Sequence, residues 1–424
     1  MPVPKLRPLD LVAGEWQGRR AVYARDYEGL LESPVLLPLP VFFVALLLDG
    51  RREIIDVQGE YARLTGGTIL SREDLDRIIQ DLDAHHLLET PRLAQRRRDV
   101  EQAYRAAPHR SPAHAGVSYP ADPAGLAAAL QGFLTAAEDG RPARDGGKAN
   151  RSEEWSQGNG RRPRGLLAPH IDFLRGGPTY GLAYGAVGEI PAGTCVVVVG
   201  VAHAGPPAPY VLTTKGYATP GRVIEVDRPL LDAVASRYPF DAMAHEAVHR
   251  TEHSIEFQVL FLDHLAGGRP LTILPVLCSS FEPWCGRASP SQLGEVESFI
   301  AALREAIAEA GRPVMVVGGV DLSHVGPRFG DAEAVGPTLA AAARADDLAA
   351  LDQVVAGDAE GFWRTVMADG NRRRVCGLSA IYTVLRLLAP TRGHLLAYNQ
   401  GEDPAGGMVG FAAAVLSEVR ADDG

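Results

Sequence analysis

Two histidines follow apolar runs of the kind that form buried strands, and both are of the type that binds transition metals. His170 ends the run 165–169, and His203 follows the run 195–202. Imidazole is the commonest protein ligand for zinc, copper and iron, and a rigid strand end sets the ring direction before the metal arrives. Either histidine alone is more simply a buried ring bonded to backbone. Their matching positions favour a metal site.

A third apolar run, 313–319, leads into Asp321-Leu-Ser-His324. A carboxylate and an imidazole three residues apart can act as general acid and base, or can orient a metal ligand. The preceding glycines keep the backbone close to a pocket, which favours a functional role. Capping of the next element by Asp321 and Ser323 is the alternative.

Cys376 stands between the basic run 372–374 and the apolar helical run 377–388. A thiol at a helix N-terminus has a lowered pKa, because the helix dipole and nearby cations favour the thiolate. The thiolate is the form that binds metals and attacks electrophiles. A small buried residue at the start of a core helix is an equally open interpretation.

His253 lies in Glu252-His-Ser-Ile-Glu256, which opens another predicted helix. Helix N-termini bind anions and suit catalytic histidines, so we predict a catalytic role for His253. The alternative is a purely structural role for this motif, in which Ser254 caps the helix.

A different metal site is suggested by His245-Glu246-Ala-Val-His249, which matches the zinc-peptidase pattern H-E-x-x-H. In that pattern two histidines one helical turn apart bind zinc and the glutamate activates water. The preceding residues 240–243 show no helical stripe, and the extended pattern would need Gly at 252 and His at 255. A zinc metallopeptidase is therefore kept as a second alternative only.

From residue 165 onward, apolar strands alternate with helical patterns, which predicts an α/β fold with a central sheet flanked by helices. Ligands bind at the carboxyl ends of the strands in such sheets. The fold therefore places His170, His203, Asp321 and His324 along one edge.

Residues 1–110 are predicted to form a separate, mainly helical accessory domain with a linker, and residues 111–424 the α/β domain. Helices at 41–48, 54–64 and 71–86, followed by a short extended segment at 87–90, resemble a winged-helix or PqqD-like domain. The third helix is acidic, which argues against its being a DNA-recognition helix and leaves docking of a protein or peptide as the expected role of this domain. The stretch from about 138 to 164, rich in Gly, Arg, Asn and Ser, is predicted to be a mobile surface loop without chemistry.

Composition narrows the class of protein. The chain has 424 residues, 46% of them hydrophobic and 22% charged, as in ordinary globular proteins. Its net charge of −10 disfavours nucleic-acid binding. We expect no membrane span, because no apolar run approaches the roughly 20 residues required. An N-terminus without a signal-peptide core and only four scattered cysteines predict a reducing cytoplasm.

Seven ordered motifs over residues 115–418 resemble those of the Memo family, whose bacterial and archaeal members are called AmmeMemoRadiSam system protein B. The motifs are Tyr119-Pro-Ala-Asp122, Ala168-Pro-His170, Gly200-Val-Ala-His203, Ala218-Thr-Pro-Gly221 with Asp227, Glu252-His-Ser-Ile-Glu256, Asp321-Leu-Ser-His324 and Cys376-Gly377. This chain departs from the family at 201–202, where Pro-Ser is more usual, and at 171–172, where Ala-Gly is common. These changes keep both histidines but alter the shape of the pocket.

The resemblance implies a fold similar to class III extradiol dioxygenases of the LigB type. It implies iron or copper, in preference to zinc, held by His170, His203 and Cys376, with His253, Asp321 and His324 lining the pocket. Cysteine replaces the dioxygenases' glutamate ligand, which shifts preference toward copper or a redox role. The expectation is a redox or dioxygenase-like enzyme of unknown substrate. The alternative is a non-catalytic partner of a radical-SAM enzyme and an AMMECR1-type protein.

Overall fold

The computed structural model describes residues 2–26, 28–31, 33–138, 163–403 and 406–419. The chain divides into two units, Met1–Ala107 and Pro108–Gly424. The loop predicted at about 138–164 lies almost entirely outside the described residues. Within the described ranges, no helix combines the length and the apolar character needed to cross a membrane.

The first unit joins a three-stranded antiparallel sheet to four helices. The strands are β1 (Asp10–Trp16), β2 (Arg19–Arg25) and β3 (Val35–Pro38), hydrogen-bonded in that order. The helices are α1 (Leu39–Leu47), α2 (Ile54–Leu64), α3 (Arg72–Ala84) and α4 (Pro91–Ala106). Ser71 caps α3 by accepting a hydrogen bond from the backbone N–H of Asp74 at 3.0 Å, as its residue type predicts.

The sheet of the first unit precedes the helices, whereas the sequence predicts extended structure after them. The segment 87–90 contributes only an isolated bridge between Leu88 and Leu6. Residues 10–25 mix polar and apolar positions without a clear period-2 pattern, so the sequence there carries little strand signal. The predicted helices at 41–48, 54–64 and 71–86 all form.

The second unit is built around a ten-stranded mixed sheet in the order β11-β13-β4-β10-β5-β9-β8-β7, with β12 on β13 and β6 on β9. Strands β4, β10, β5, β9 and β8 run parallel to one another. The strands are β4 (Gly165–Ala168), β5 (Thr194–Val201), β6 (Tyr210–Leu212), β7 (Tyr217–Ala218), β8 (Val223–Val226), β9 (Leu271–Cys278), β10 (Val314–Gly319), β11 (His324–Val325), β12 (Thr391–Asp403) and β13 (Gly407–Glu418).

Helices cover both faces of this sheet, and the predicted α/β fold is confirmed. Along β5, Val196 and Val198 contribute to one apolar cluster while Val197 and Val199 contribute to the other. Burial on both faces explains why the strand is a continuous apolar run. The helices are α5 (Pro123–Glu138), α6 (Phe173–Val187), α7 (Arg228–Arg237), α8 (His253–Ala266), α9 (Glu282–Cys285), α10 (Gly294–Glu309), α11 (Pro337–Ala356), α12 (Ala359–Met367) and α13 (Leu378–Leu388).

The sequence analysis missed several elements of this unit, above all the long hairpin β12–β13. Strand β13 contains the run Ala412-Ala-Ala414 and two glycines, and β12 is largely polar. Alanine and glycine are depleted in strands, so the local pattern does not indicate one. Short strands β6, β7, β8 and β11 and helix α12 were missed as well.

Two glycines let helix α8 lie very close to the sheet. A Cβ on Gly319, at the end of β10, would lie 2.2 Å from the backbone oxygen of Ser254, and one on Gly200 would lie 2.5 Å from the Ser254 hydroxyl. Ser254 Oγ donates to the carbonyl of Val201 and accepts from its N–H. The first turn of α8 is therefore fixed against the strand ends.

Replacing Gly319 by alanine is expected to destabilise the second unit by about 3 kcal/mol, because its new methyl group would meet backbone rather than a movable side chain. Urea unfolding measures this change. Gly185→Ala is the matched control, since nothing lies within 4 Å of its Cβ position in helix α6. That control should gain about 0.5–1 kcal/mol. Equal stability of Gly319→Ala and wild type would contradict the close packing of α8.

Candidate metal centre

The carboxyl ends of β4, β10 and β5 meet at one edge of the sheet, because these three strands are parallel neighbours. His170 lies just beyond β4, Asp321 beyond β10 and His203 beyond β5. His170 and Asp321 are each 2% exposed, whereas the side chain of His203 is 31% exposed. The structure therefore places a buried carboxylate between two histidines of unequal exposure.

Cys376 completes this group from a distant part of the sequence. Its Sγ lies 3.3 Å from Nε2 of His170, a residue 206 positions earlier. One ligand atom each from His170, His203 and Cys376 lie within 4.8 Å of one another. The three residues that the sequence predicts as metal ligands are thus brought together.

Backbone and carboxylate groups determine which ring nitrogens are left for a ligand. Nδ1 of His170 donates to the carbonyl of Gly319 at 2.9 Å, since a carbonyl can only accept. Nδ1 of His203 donates to the carboxylate of Glu252 at 3.0 Å. Both rings consequently have Nε2, rather than Nδ1, as the nitrogen that a metal ion could bind once its proton is lost, an arrangement common for metal-binding histidines.

The Cys376 thiol is held as a thiolate by histidines rather than by the arginines next to it in sequence. Burial alone raises the pKa of Cys376, but its electrostatic interaction with histidines, first of all with His170, outweighs burial and holds that pKa well below its usual value. The pKa of Cys376 is therefore lowered, as the sequence predicts, but by histidines and not by the helix dipole and the neighbouring arginines.

The neighbouring arginines are engaged elsewhere. Arg373 forms an ion pair with the buried Asp347 at 2.6 Å, and Arg374 pairs with Asp331 at 2.7 Å. The sequence does not reveal this difference, because the partners of these guanidiniums come from distant segments of the chain.

Opposite charges within the group stabilise one another. Burial lowers the pKa of His170, but the carboxylate of Asp321 and the thiolate of Cys376 more than compensate and raise it to about 9. Burial likewise acts against the imidazolium of His203, yet Glu252 and Cys376 raise its pKa well above the usual value. Without metal, the group is a thiolate between two protonated imidazoles. A metal ion would replace their Nε2 protons.

Asp321 joins the strand ends to the segment that carries Cys376. Its carboxylate accepts from the backbone N–H of His170 at 3.0 Å, and its carbonyl accepts from the N–H of Gly377 at 3.0 Å. Ser323 donates its hydroxyl to Asp347. Neither residue caps a helix, so the capping alternative for this motif is wrong.

His324 lies in the short strand β11 at the side of the group. Its Nδ1 donates to the carbonyl of Leu322 at 2.9 Å, which leaves Nε2 as an acceptor. The rings of His324 and Phe329 are in edge-to-face contact, with centroids 4.9 Å apart. His324 is half-buried.

His253 is the first residue of α8 and stacks on His203, with ring centroids 4.9 Å apart and planes 17° apart. Burial holds the pKa of His253 well below its usual value, and the charges of His203 and His170 lower it further against the opposing effect of Glu252. His253 is therefore a neutral base. The helix is capped by Glu252, which accepts from the N–H of Ser254 at 2.9 Å, and not by Ser254 as the alternative proposes.

His203, Glu252 and His253 form a second group with atoms of metal-ligand type. The two imidazole rings are nearly parallel, and Nδ1 of each ring lies close to the same carboxylate oxygen of Glu252, at 3.0 Å for His203 and 3.3 Å for His253. The pKa of Glu252 is raised by burial but pulled well below its usual value by His203 and His253. Glu252 therefore acts as an ionised acceptor that orients two rings.

Glu252 and His114 are site residues that the sequence analysis did not single out. The ring of His114 lies 5.7 Å from that of His253, and its Nε2 donates to the carbonyl of Thr251 at 3.0 Å. Glu252 stands in a motif that was noted for its histidine. His114 follows no apolar run, so no local signal marks it.

The H-E-x-x-H motif does not form a metal-binding helix. Residues Glu246–Arg250 make a short 3-10 helix, and Glu246 accepts from the backbone N–H of Thr214 at 2.5 Å. His249 is fully buried; its Nε2 donates to the carbonyl of Val211 at 3.0 Å and its Nδ1 accepts from Tyr217 Oη at 2.8 Å. With both ring nitrogens occupied, the zinc-peptidase alternative is overturned.

His249 should make stability depend on pH. Burial lowers its pKa to about 4, so the unfolded chain takes up a proton near pH 6.5 that the folded chain refuses. Stability is full above about pH 6.5 and falls by up to about 3 kcal/mol as the pH drops toward 4. Urea unfolding at several pH values should show a shallower slope for His249→Gln. The control His245→Gln, in the same motif, should keep the wild-type slope. A His249→Gln slope identical to that of wild type would contradict a neutral buried His249.

Most of the chain is similar in sequence to known proteins. The family model described as "Memo-like protein" matches residues 110–415. A MEMO1 family protein of Aquifex aeolicus is 27% identical over 419 residues, covering 97% of this chain and 99% of the relative. One from Thermus thermophilus is 30% identical over 374 residues, covering 86% and 99%.

A further relative matches a smaller share of the chain. A MEMO1 family protein of Methanosarcina barkeri is 27% identical over 258 residues, covering 59% of this chain but 86% of the relative. Since the family model alone spans well over half of the chain and includes His170, His203 and Cys376, the chain belongs to the Memo-like protein family.

Proposed function

We propose that this protein is a metal-dependent redox protein, dioxygenase-like in its chemistry, that holds iron or copper through His170, His203 and Cys376. One observation carries the proposal: ligand atoms of two histidines and a cysteine lie within 4.8 Å of one another, and Nδ1 of each ring already donates to an oxygen, which leaves Nε2 for a metal. The remaining coordination positions would be open to small molecules on the exposed side of His203.

The donor set fits these metals by its chemistry. A thiolate with two imidazoles is softer than the ligand sets of magnesium or calcium and suits copper or iron. A bound ion of either kind would supply one-electron redox chemistry. The thiolate requires a reduced cysteine, and all four cysteines of the chain are free, which supports a reducing compartment such as the cytoplasm.

Two further imidazoles could move protons beside the centre. His253 is neutral because its pKa is low, and it contacts both His203 and His170 at ring centroid distances of 4.9 and 5.2 Å. His324 has Nε2 as an acceptor and lies near enough to Cys376 to lower the pKa of that thiol. Each can accept a proton from a substrate and return it, which is the work of a general base.

Metal content tests the proposal directly. Protein purified without oxygen should contain close to one equivalent of iron or copper, and His170→Ala, His203→Ala and Cys376→Ser should each remove it. Elemental analysis is the measurement. Cys285→Ser and His264→Ala are matched controls, because neither residue belongs to the cluster, and both should keep the metal.

Metal-free wild type that also fails to take up added iron or copper would overturn the proposal. That result would favour the alternative function, a non-catalytic partner that works with a radical-SAM enzyme and an AMMECR1-type protein.

Oxygen consumption separates a catalyst from a passive metal carrier. Metal-loaded wild type, screened with catechol-like substrates, should consume oxygen, and His253→Ala and His324→Ala should keep the metal but react at least about 100-fold more slowly. An oxygen electrode together with elemental analysis measures both properties. Variants that retain both metal and wild-type rates would show that neither histidine moves a proton in the reaction.

A further inference from the structure

Arg110 is fully buried and its guanidinium reaches both sides of Glu252. Nε donates to the carbonyl of His249 at 2.9 Å, and Nη2 donates to the carbonyl of Glu252 itself at 2.8 Å. Nη1 forms an ion pair with Glu256, one turn into α8. One side chain therefore holds the segment before α8 and the first turn of that helix.

The carboxylate of Glu252 passes this constraint to the metal centre. It accepts from the backbone N–H of His203 at 3.0 Å and from Nδ1 of the same residue at 3.0 Å. The position of the His203 ring thus depends on where the Glu252 backbone lies. Arg110 is thus linked to His203 through Glu252.

The backbone around Arg110 is itself well anchored. Its N–H donates to the carbonyl of Gly216 at 2.9 Å, and its carbonyl accepts from Ala218 at 2.9 Å. The following segment is tied to the same helix, because the N–H groups of Ala113 and His114 donate to the Glu256 carboxylate. The stretch around Arg110, predicted from sequence as a linker, is therefore part of the packed second unit.

We propose that Arg110 is a positioning residue of the metal centre: it holds Glu252, and Glu252 orients His203. This inference rests on the proposed metal-binding function and names how that site is controlled. Arg110 comes three residues after Ala107, where the first unit ends. The start of the second unit is thus a control point, since any change there that withdraws the guanidinium loosens a metal ligand.

An arginine is required at this position by geometry. The planar guanidinium donates several hydrogen bonds in fixed directions, which lets it serve two carbonyls and a carboxylate at once. A lysine keeps the positive charge beside Glu256 but cannot reach both carbonyls of His249 and Glu252. Arg110→Lys therefore removes the positioning bonds while it preserves the buried charge balance.

The experiment compares Arg110→Lys with Arg7→Lys in the full chain. Arg7 is the matched control, a fully buried guanidinium in the first unit that donates to the His86 carbonyl at 2.7 Å and pairs with Asp26 at 2.8 Å. Dissociation constants for Cu(I) and Fe(II) are measured by competition with a chelator, alongside thermal unfolding. Arg110→Lys should bind about 10–100-fold more weakly, and Arg7→Lys within about twofold of wild type.

A double-mutant cycle separates positioning from general damage. In a Glu252→Gln background, Arg110→Lys should weaken metal binding far less than it does in wild type, because the two residues act in series. Wild-type affinity of Arg110→Lys would overturn the proposal. So would a loss of the same size in both backgrounds, since it would assign Arg110 to overall folding.

A second readout keeps the inference separate from the proposed function. In metal-free protein labelled with ¹⁵N-histidine, the ring signals of His203 are assigned by their loss in His203→Ala. Arg110→Lys should shift them, and Arg7→Lys should not. If wild type binds neither ion, the proposed metal-binding function is wrong, and the ring signals of His203 alone test the role of Arg110. A shift seen in Arg110→Lys and not in Arg7→Lys then supports the positioning role, and unchanged signals overturn it.

Discussion

Burial of a thiolate between two imidazoles is the constraint on which the centre depends. A buried charge is costly unless it is paired and hydrogen-bonded. Cys376 is balanced by His170 and His324, and His203 by Glu252. Each of these partners comes from a different element, so the strand ends, the start of α8 and the segment before α13 must all be in place before any one charge is compensated.

Close backbone packing supplies that placement. Gly319 and Gly200 let the first turn of α8 lie against the ends of β10 and β5, and Ser254 bonds the helix to the backbone of Val201. The same packing leaves the carbonyl of Gly319 free to accept from His170. The carbonyl at this strand end therefore determines the tautomer of His170.

Some residues of the proposed site could not be identified from the sequence, for an identifiable reason. Arg110 lies in a stretch without strand or helix periodicity, and its partners His249 and Glu252 are 139 and 142 positions away. The H-E-x-x-H motif gave the opposite error, a site suggested by the sequence that the structure does not form. A five-residue match does not show whether a ring nitrogen of His249 is free to bind a metal. The hairpin β12–β13 was missed because its inner strand is rich in alanine and glycine.

The choice of Cys376 as a third ligand came from the family resemblance. Local patterns along the chain were enough to predict the α/β fold, the ends of β4, β5 and β10, and His170 and His203 as ligand candidates at two of those ends. They suffice there because burial on both faces of a strand makes a continuous apolar run, and the polar residue after it is easily seen. The distances within the centre, its tautomers and the origin of the Cys376 thiolate emerged only on folding. They depend on contacts between residues up to 206 positions apart, and no local pattern encodes such contacts.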